Sequence, residues 1–164
     1  MQNFIRSSFS LLLFFSSFAF AGMDYIPSDL STFNTTGNCE NCNLTNASLS
    51  GSQHQEANLQ NSDLSYASTM IFSDYTRANF FAIKGVAFIA MNTDLSEANF
   101  TNAQLINANF ANSNLGSADF TGANVTGADF ANANLLVAKI TATQLASAGN
   151  LCRAVLPDGS QGGC

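Results

Sequence analysis

Ala98-Asn99-Phe100, Ala103-Gln104-Leu105, Ala108-Asn109-Phe110, Ser113-Asn114-Leu115, Ala118-Asp119-Phe120, Ala123-Asn124-Val125, Ala128-Asp129-Phe130 and Ala133-Asn134-Leu135 follow one another at a fixed interval of five residues. In each unit a small residue precedes a large apolar one by two. Positions two apart share a face of an extended segment, so both side chains point inward and the polar residue between them points to water. The two residues left over are mostly polar or small and turn the chain. A period of five matches neither a helix at 3.6 nor a flat strand at 2, so the backbone bends once per unit and a coil is the simplest result. Ala78-Asn79-Phe80 stands in the same phase.

From Cys42 to Ile140 this pattern resembles the motif of the pentapeptide-repeat family, A-(D/N)-L-x-x. The resemblance implies an all-β fold, a right-handed quadrilateral parallel β-helix with four pentapeptides, about twenty residues, per coil. Residues twenty apart then stack. Phe80, Phe100, Phe120 and Ile140 form one internal column, Phe110 and Phe130 a second, Leu95, Leu115 and Leu135 a third, and Leu105 and Val125 a fourth. Phe ladders thus alternate with aliphatic ladders around the square, an ordering that the five-residue motif does not impose.

About five such coils between Glu40 and Ile140, at the spacing of neighbouring strands, make a solenoid roughly 24 Å long. Its ends cannot touch, and disulfide Cα atoms lie within about 7 Å. Of the three pairings open to four cysteines, the local one follows: Cys39 with Cys42 and Cys152 with Cys164. Caps are expected at both raw ends. Pro27 to Phe33 reads as a short helix laying Leu30 and Phe33 on the first coil. Thr141-Ala142-Thr143-Gln144 has capping-box spacing for a helix near Ala142 to Ala148, and Leu156-Pro157-Asp158-Gly159 reads as a turn. The C-x-x-C entry and this exit resemble those of exported bacterial members of the family.

Ahead of the repeats, Arg6, an apolar stretch from Phe9 to Phe20 and Ala19-Phe20-Ala21 read as a signal peptide cleaved after Ala21. The expected organisation is 1–21 signal peptide, 22–38 N-terminal cap, 39–140 β-helix, and 141–164 C-terminal helix and disulfide-closed turn. No later segment is apolar enough to span a membrane. Without Arg6, four basic side chains face eleven acidic ones, a net charge of −7. That balance disfavours nucleic acid as a partner. The expected location is the periplasm or the medium.

The repeat fails in two places. Leu44, Leu49, Leu59 and Leu64 keep a frame one residue out of step with the later one, so an extra residue is absorbed between Ser65 and Phe72, with a bulge as the expected device. In that first frame His54, the single histidine, takes an inward position. At Ile83-Lys84-Gly85 and Phe88-Ile89-Ala90 the large and small residues exchange places. Phe81, Val86, Ile89 and Met91 then fall on outward positions, stacked near Ile71, Phe72 and Ile106, and form a candidate partner patch. The alternative reading has the chain leave register there and turn these side chains inward.

No Ser-His-Asp or Cys-His set, metal-ligand cluster or phosphate loop is visible, and neither enzyme activity nor a cofactor is expected. Asp74 and Asp94 stack twenty apart at a spacing that suits glycosidase chemistry or a cation, but Asp is a motif residue there. Some members of the family that the chain resembles are acidic DNA mimics that protect type II topoisomerases; export and Asn-rich faces argue against that here. Ladders such as Thr101, Thr121, Thr141 and Asn92, Asn112, Asn132 suggest an ice or polysaccharide binder, yet each is only three long. The leading expectation is a non-enzymatic exported scaffold that contacts an unidentified protein.

Overall fold

The computed structural model describes residues 25–67 and 72–164. The expected signal peptide and Ile71 lie outside these residues. Parallel bridges join Asp74 to Asp94, Asn79 to Asn99, Lys84 to Gln104 and Ile89 to Asn109, and the same positions continue to Asn114, Asp119, Asn124 and Asp129. Partners are twenty residues apart and four bridges complete a turn, so the coil has four sides. Each side is so short that it pairs through a single bridged residue. The sides are named below by their inward residue in one coil: Phe100, Leu105, Phe110 and Leu115.

The corners explain the remaining motif positions. Ala98, Ala103, Ala108 and Ser113 donate their N–H groups to the C=O groups of Leu95, Phe100, Leu105 and Phe110 at 3.0 or 3.1 Å, which closes a four-residue turn at each corner. The third residue of the turn has positive φ, as at Asn92, Asn102, Asn107 and Asn112, a conformation that Asn tolerates better than most residues. The Asn or Asp before the large residue accepts the N–H two positions on: Asn99 from Thr101, Asn109 from Ala111, Asp119 from Thr121 and Asn134 from Leu136, at 2.9 to 3.1 Å. The polar residue therefore holds the bend that turns each side into the next.

Inside, Phe80, Phe100 and Phe120 stack nearly parallel with ring centroids 4.8 and 5.0 Å apart. Phe110 and Phe130 stack at 5.4 Å, and Phe110 meets Phe120 edge-on. The Phe, Leu and Val residues of these columns up to Leu135 are buried. At about 25 cal/mol per Å², such burial is the main favourable term in folding. The register step is visible in the ladder. Asn43 bridges Asp63 at twenty residues, whereas Gln53 bridges Asp74, Asn58 bridges Asn79 and Asp63 bridges Lys84 at twenty-one.

Helix α1, Pro27–Thr36, closes the first end. Pro27 suits the first helical turn, where its missing N–H has no partner to lose, and Gly37 ends the helix at φ 72. Phe33 is fully buried and plugs the first coil, 4.8 Å from the His54 ring and 6.2 Å from Tyr75. Helix α2, Ala142–Ser147, opens with a capping box between Thr141 and Gln144. The solenoid does not stop at Ile140. The chain resumes the coil after α2, bridging Asn150 to Asp129 and Val155 to Asn134. Val155 then pairs antiparallel with Gln161, which covers the last edge. Disulfides join Cys39 to Cys42 and Cys152 to Cys164.

Candidate functional site

The disrupted stretch keeps its register. Lys84 and Ile89 hold the bridged, outward positions, and Ile83, Gly85, Phe88 and Ala90 are buried. The exchange conserves interior volume. A Cβ on Gly85 would stand 3.2 Å from Leu105 Cδ2 and 3.4 Å from Ile83 Cδ1, so Ile83 and Leu105 fill the space that a large residue takes elsewhere in the column.

The residues outside this swap gather at two corners. Tyr66 donates its N–H to Val86 C=O, and Ala87 donates to Ile106 C=O, both at 2.8 Å. Tyr66, Val86 and Ile106 therefore follow one another along the corner between the Leu105 and Phe110 sides. Ile89 lies on the Phe110 side. Met91 begins the next corner, and Phe72 and Asn92 are both third residues of turns in its column, each with positive φ. Tyr66 and Phe72 are 58% and 73% exposed, while Val86, Ile89, Met91 and Ile106 are half-buried. Phe81, 36% exposed, stands one corner away, across a side carrying Lys84, which pairs with Asp63 at 2.8 Å. The structure thus brings Val86, Ile89, Met91, Ile106 and Phe72 onto one side and its corners and sets Phe81 apart. Tyr66 joins them, although the sequence reading passed over it. The signal was its place twenty-one residues before Ala87, hidden by the frame step that follows it.

His54 occupies the inward position of the first coil, under α1, beside the stacked rings of Phe33 and Tyr75. Burial holds its imidazole below the ordinary value. Tyr75 is fully buried one coil on, and burial pushes its phenol up. Its hydroxyl has no hydrogen-bond partner, because the Ser52 hydroxyl beside it donates to Leu49 C=O instead.

Asp74 and Asp94 are bridged neighbours, and their carboxylates cap turns. Asp74 accepts from Gln55 Nε2 at 2.6 Å and from Thr76, and the Gln55 bond comes first among the causes that lower its pKa. Asp94 accepts from Ser96 and from Asn114 Nδ2. Thr141 leaves its ladder to become the N-cap of α2. Among the described residues no group of three or more His, Cys, Asp or Glu side chains is placed to hold a metal ion, and no helix is long and apolar enough to cross a membrane.

Residues 38–80 and 98–135 match the model of pentapeptide repeats, in eight copies. The gap between them is the stretch where large and small residues exchange places. No curated protein matches the sequence. Among solved structures, QnrB1, a plasmid-mediated fluoroquinolone resistance protein, is 19% identical with a TM-score of 0.59; the match covers 69% of this chain and 59% of that one. A pentapeptide repeat protein from the cyanobacterium Cyanothece 51142 is 21% identical over 75% of this chain and 92% of that one, with a TM-score of 0.45. A pentapeptide repeat protein from the Arabidopsis thaliana thylakoid lumen is 24% identical over 67% and 74%, with a TM-score of 0.39.

Proposed function

The chain belongs to the pentapeptide-repeat family, whose solved members imply a right-handed β-helix, and we propose that it is a non-enzymatic exported scaffold that binds another protein through its apolar corner. The observation that carries this reading is the cluster of Tyr66, Phe72, Val86, Ile89, Met91 and Ile106. Elsewhere the outward positions are mostly Asn, Ser, Thr, Asp or Gly. Exposed apolar clusters of this kind mark contact surfaces, and the exposed aromatics Tyr66 and Phe72 are of the type that anchors interfaces. Periplasm or medium is the proposed location, supported by Arg6, the apolar stretch after it and Ala19-Phe20-Ala21.

The test is co-purification of envelope proteins with wild type and with a Phe72→Ser/Met91→Ser variant. The variant should keep its melting temperature and lose a partner that wild type retains. Recovery of the same proteins by both refutes the contact surface. N-terminal sequencing of the recovered protein should begin at Gly22; an intact Met1 refutes export by cleavage.

A further inference from the structure

The bridge between Gln53 and Asp74 is made by His54 N–H donating to Asp74 C=O and Asp74 N–H donating to Ser52 C=O, both at 3.0 Å. In parallel pairing this leaves the N–H and C=O of Gln53 itself pointing the other way, out of the first end of the solenoid. On two other sides of that coil α1 and the residues flanking it take the equivalent groups. Asn43 C=O accepts from Ile26 N–H at 3.0 Å, and Asn43 N–H donates to Asp29 Oδ2 at 2.8 Å. Asn38 N–H donates to Thr36 Oγ1, and Asn38 C=O accepts from that hydroxyl, both at 3.0 Å. Among the described residues none bonds the main chain of Gln53. Beside it runs a groove of about 630 Å³, walled by Thr36, Gly37 and Asn38 on one flank and by Gln53, Gln55 and Glu56 on the other.

We propose that this edge is the docking site for an extended, basic peptide strand of a partner protein, which adds to the solenoid as one further rung. The bonding groups select the occupant. A donor and an acceptor on one residue, facing outward in strand register, are satisfied together by another strand's backbone. A second copy of this chain does not fit, because α1 stands on the end at about the 10 Å diameter of a helix and keeps a second solenoid end from reaching the edge. Charge selects the side chains. Residues 25–67 carry Asp29, Glu40, Glu56 and Asp63 and no Lys or Arg; Arg77 and Lys84 of the next coil pair with Glu56 and Asp63, so this end keeps the net charge of Asp29 and Glu40. The Gln53 edge adjoins the corner that holds Phe72, two residues before the bridged Asp74, but its bonding groups are the main-chain groups of Gln53 and its groove opens on the opposite corner.

A labelled peptide KVTVKVTVK is the probe, with EVTVEVTVE as its acidic counterpart. Gln53→Pro deletes the outward N–H, which the fold does not use, at an edge position where proline is tolerated. Gln53→Ala keeps that N–H. Wild type and Gln53→Ala should bind the basic peptide saturably, and Gln53→Pro should weaken binding about tenfold, the worth of one lost hydrogen bond. Peptide binding should also slow exchange of the Gln53 amide in wild type, a measurement that holds even if the proline variant is unstable. Phe72→Ser/Met91→Ser should bind the peptide as wild type does, which separates this site from the apolar corner. Absence of saturable binding to wild type, equal affinity in a folded Gln53→Pro, equal affinity for the acidic peptide, or an unprotected Gln53 amide each overturns the proposal.

Discussion

Tyr75 stands in a column that later coils fill with Leu95, Leu115 and Leu135, and its ring is the largest fully buried side chain of the chain's described residues. Its hydroxyl carries a desolvation cost that no bond returns. Leaving a buried hydroxyl unsatisfied costs about 1–3 kcal/mol. Tyr75→Phe removes only that oxygen, so it should raise stability by about 1 kcal/mol, read as an upward shift of the melting temperature; a lower melting temperature would mean that the hydroxyl is bonded after all. At this scale much was legible in the sequence. Small and large residues two apart disclose the inward face, and the twenty-residue columns follow from adding the family's coil. The job of the residue between them was not legible. Asn99, Asp119 and Asn134 look like surface polarity until the corner exists, and only then does each side-chain oxygen meet the amide two positions on.

Gln144 shows how one side chain closes an element onto the solenoid. Its Oε1 accepts from Thr141 N–H at 2.8 Å, completing the capping box. Its Nε2 donates to the C=O groups of Phe120 and Ala123, at 2.7 and 2.9 Å, on the rung beneath. Gln144→Ala therefore removes the side-chain half of the capping box and the donor to two edge carbonyls, leaving the bond from its N–H to Thr141 Oγ1. A loss of about 1–3 kcal/mol is expected, measured by denaturant unfolding, with Gln144→Glu recovering the capping half but not the donors. An unchanged midpoint in Gln144→Ala would show that water serves those carbonyls equally well. The helix was readable from Thr141 and Gln144 because capping is local chemistry. The coil resumed after it was not readable. Asn150 and Val155 return to the bridging positions twenty-one residues after Asp129 and Asn134, and a helix that consumes the intervening corner erases the five-residue rhythm by which those positions would be recognised.

A solenoid touches only its neighbours along one axis, so its two ends can loosen separately, and here they carry titrating groups with different windows. At the first end, burial lowers the pKa of His54 from 6.5. The folded state then resists a proton that the unfolded chain accepts, so this contribution is complete above pH 6.5 and is lost as pH falls through that value toward the lowered one. The nearby carboxylates are engaged elsewhere: Glu56 pairs with Arg77 at 2.8 Å, and Asp74 is held by Gln55 and Thr76. Near the other end, the hydrogen bond from Lys139 and then that from Thr121 hold Asp119 at about 2 instead of 3.8. Its contribution is intact above pH 3.8 and disappears between there and about 2. Acidification should therefore act from the histidine end first. Hydrogen exchange corrected for intrinsic rate should show the Gly37 and Cys39 amides, bonded to Phe33 and Asn58, losing protection as the pH falls below 6.5. The Phe120 amide, bonded to Lys139, should hold until the pH approaches 3. His54→Leu, which extends the leucine column into the first coil, should abolish the early step and leave the late one. An early step that survives in His54→Leu would trace the loosening to some other group and break the link between α1 and the imidazole beneath it.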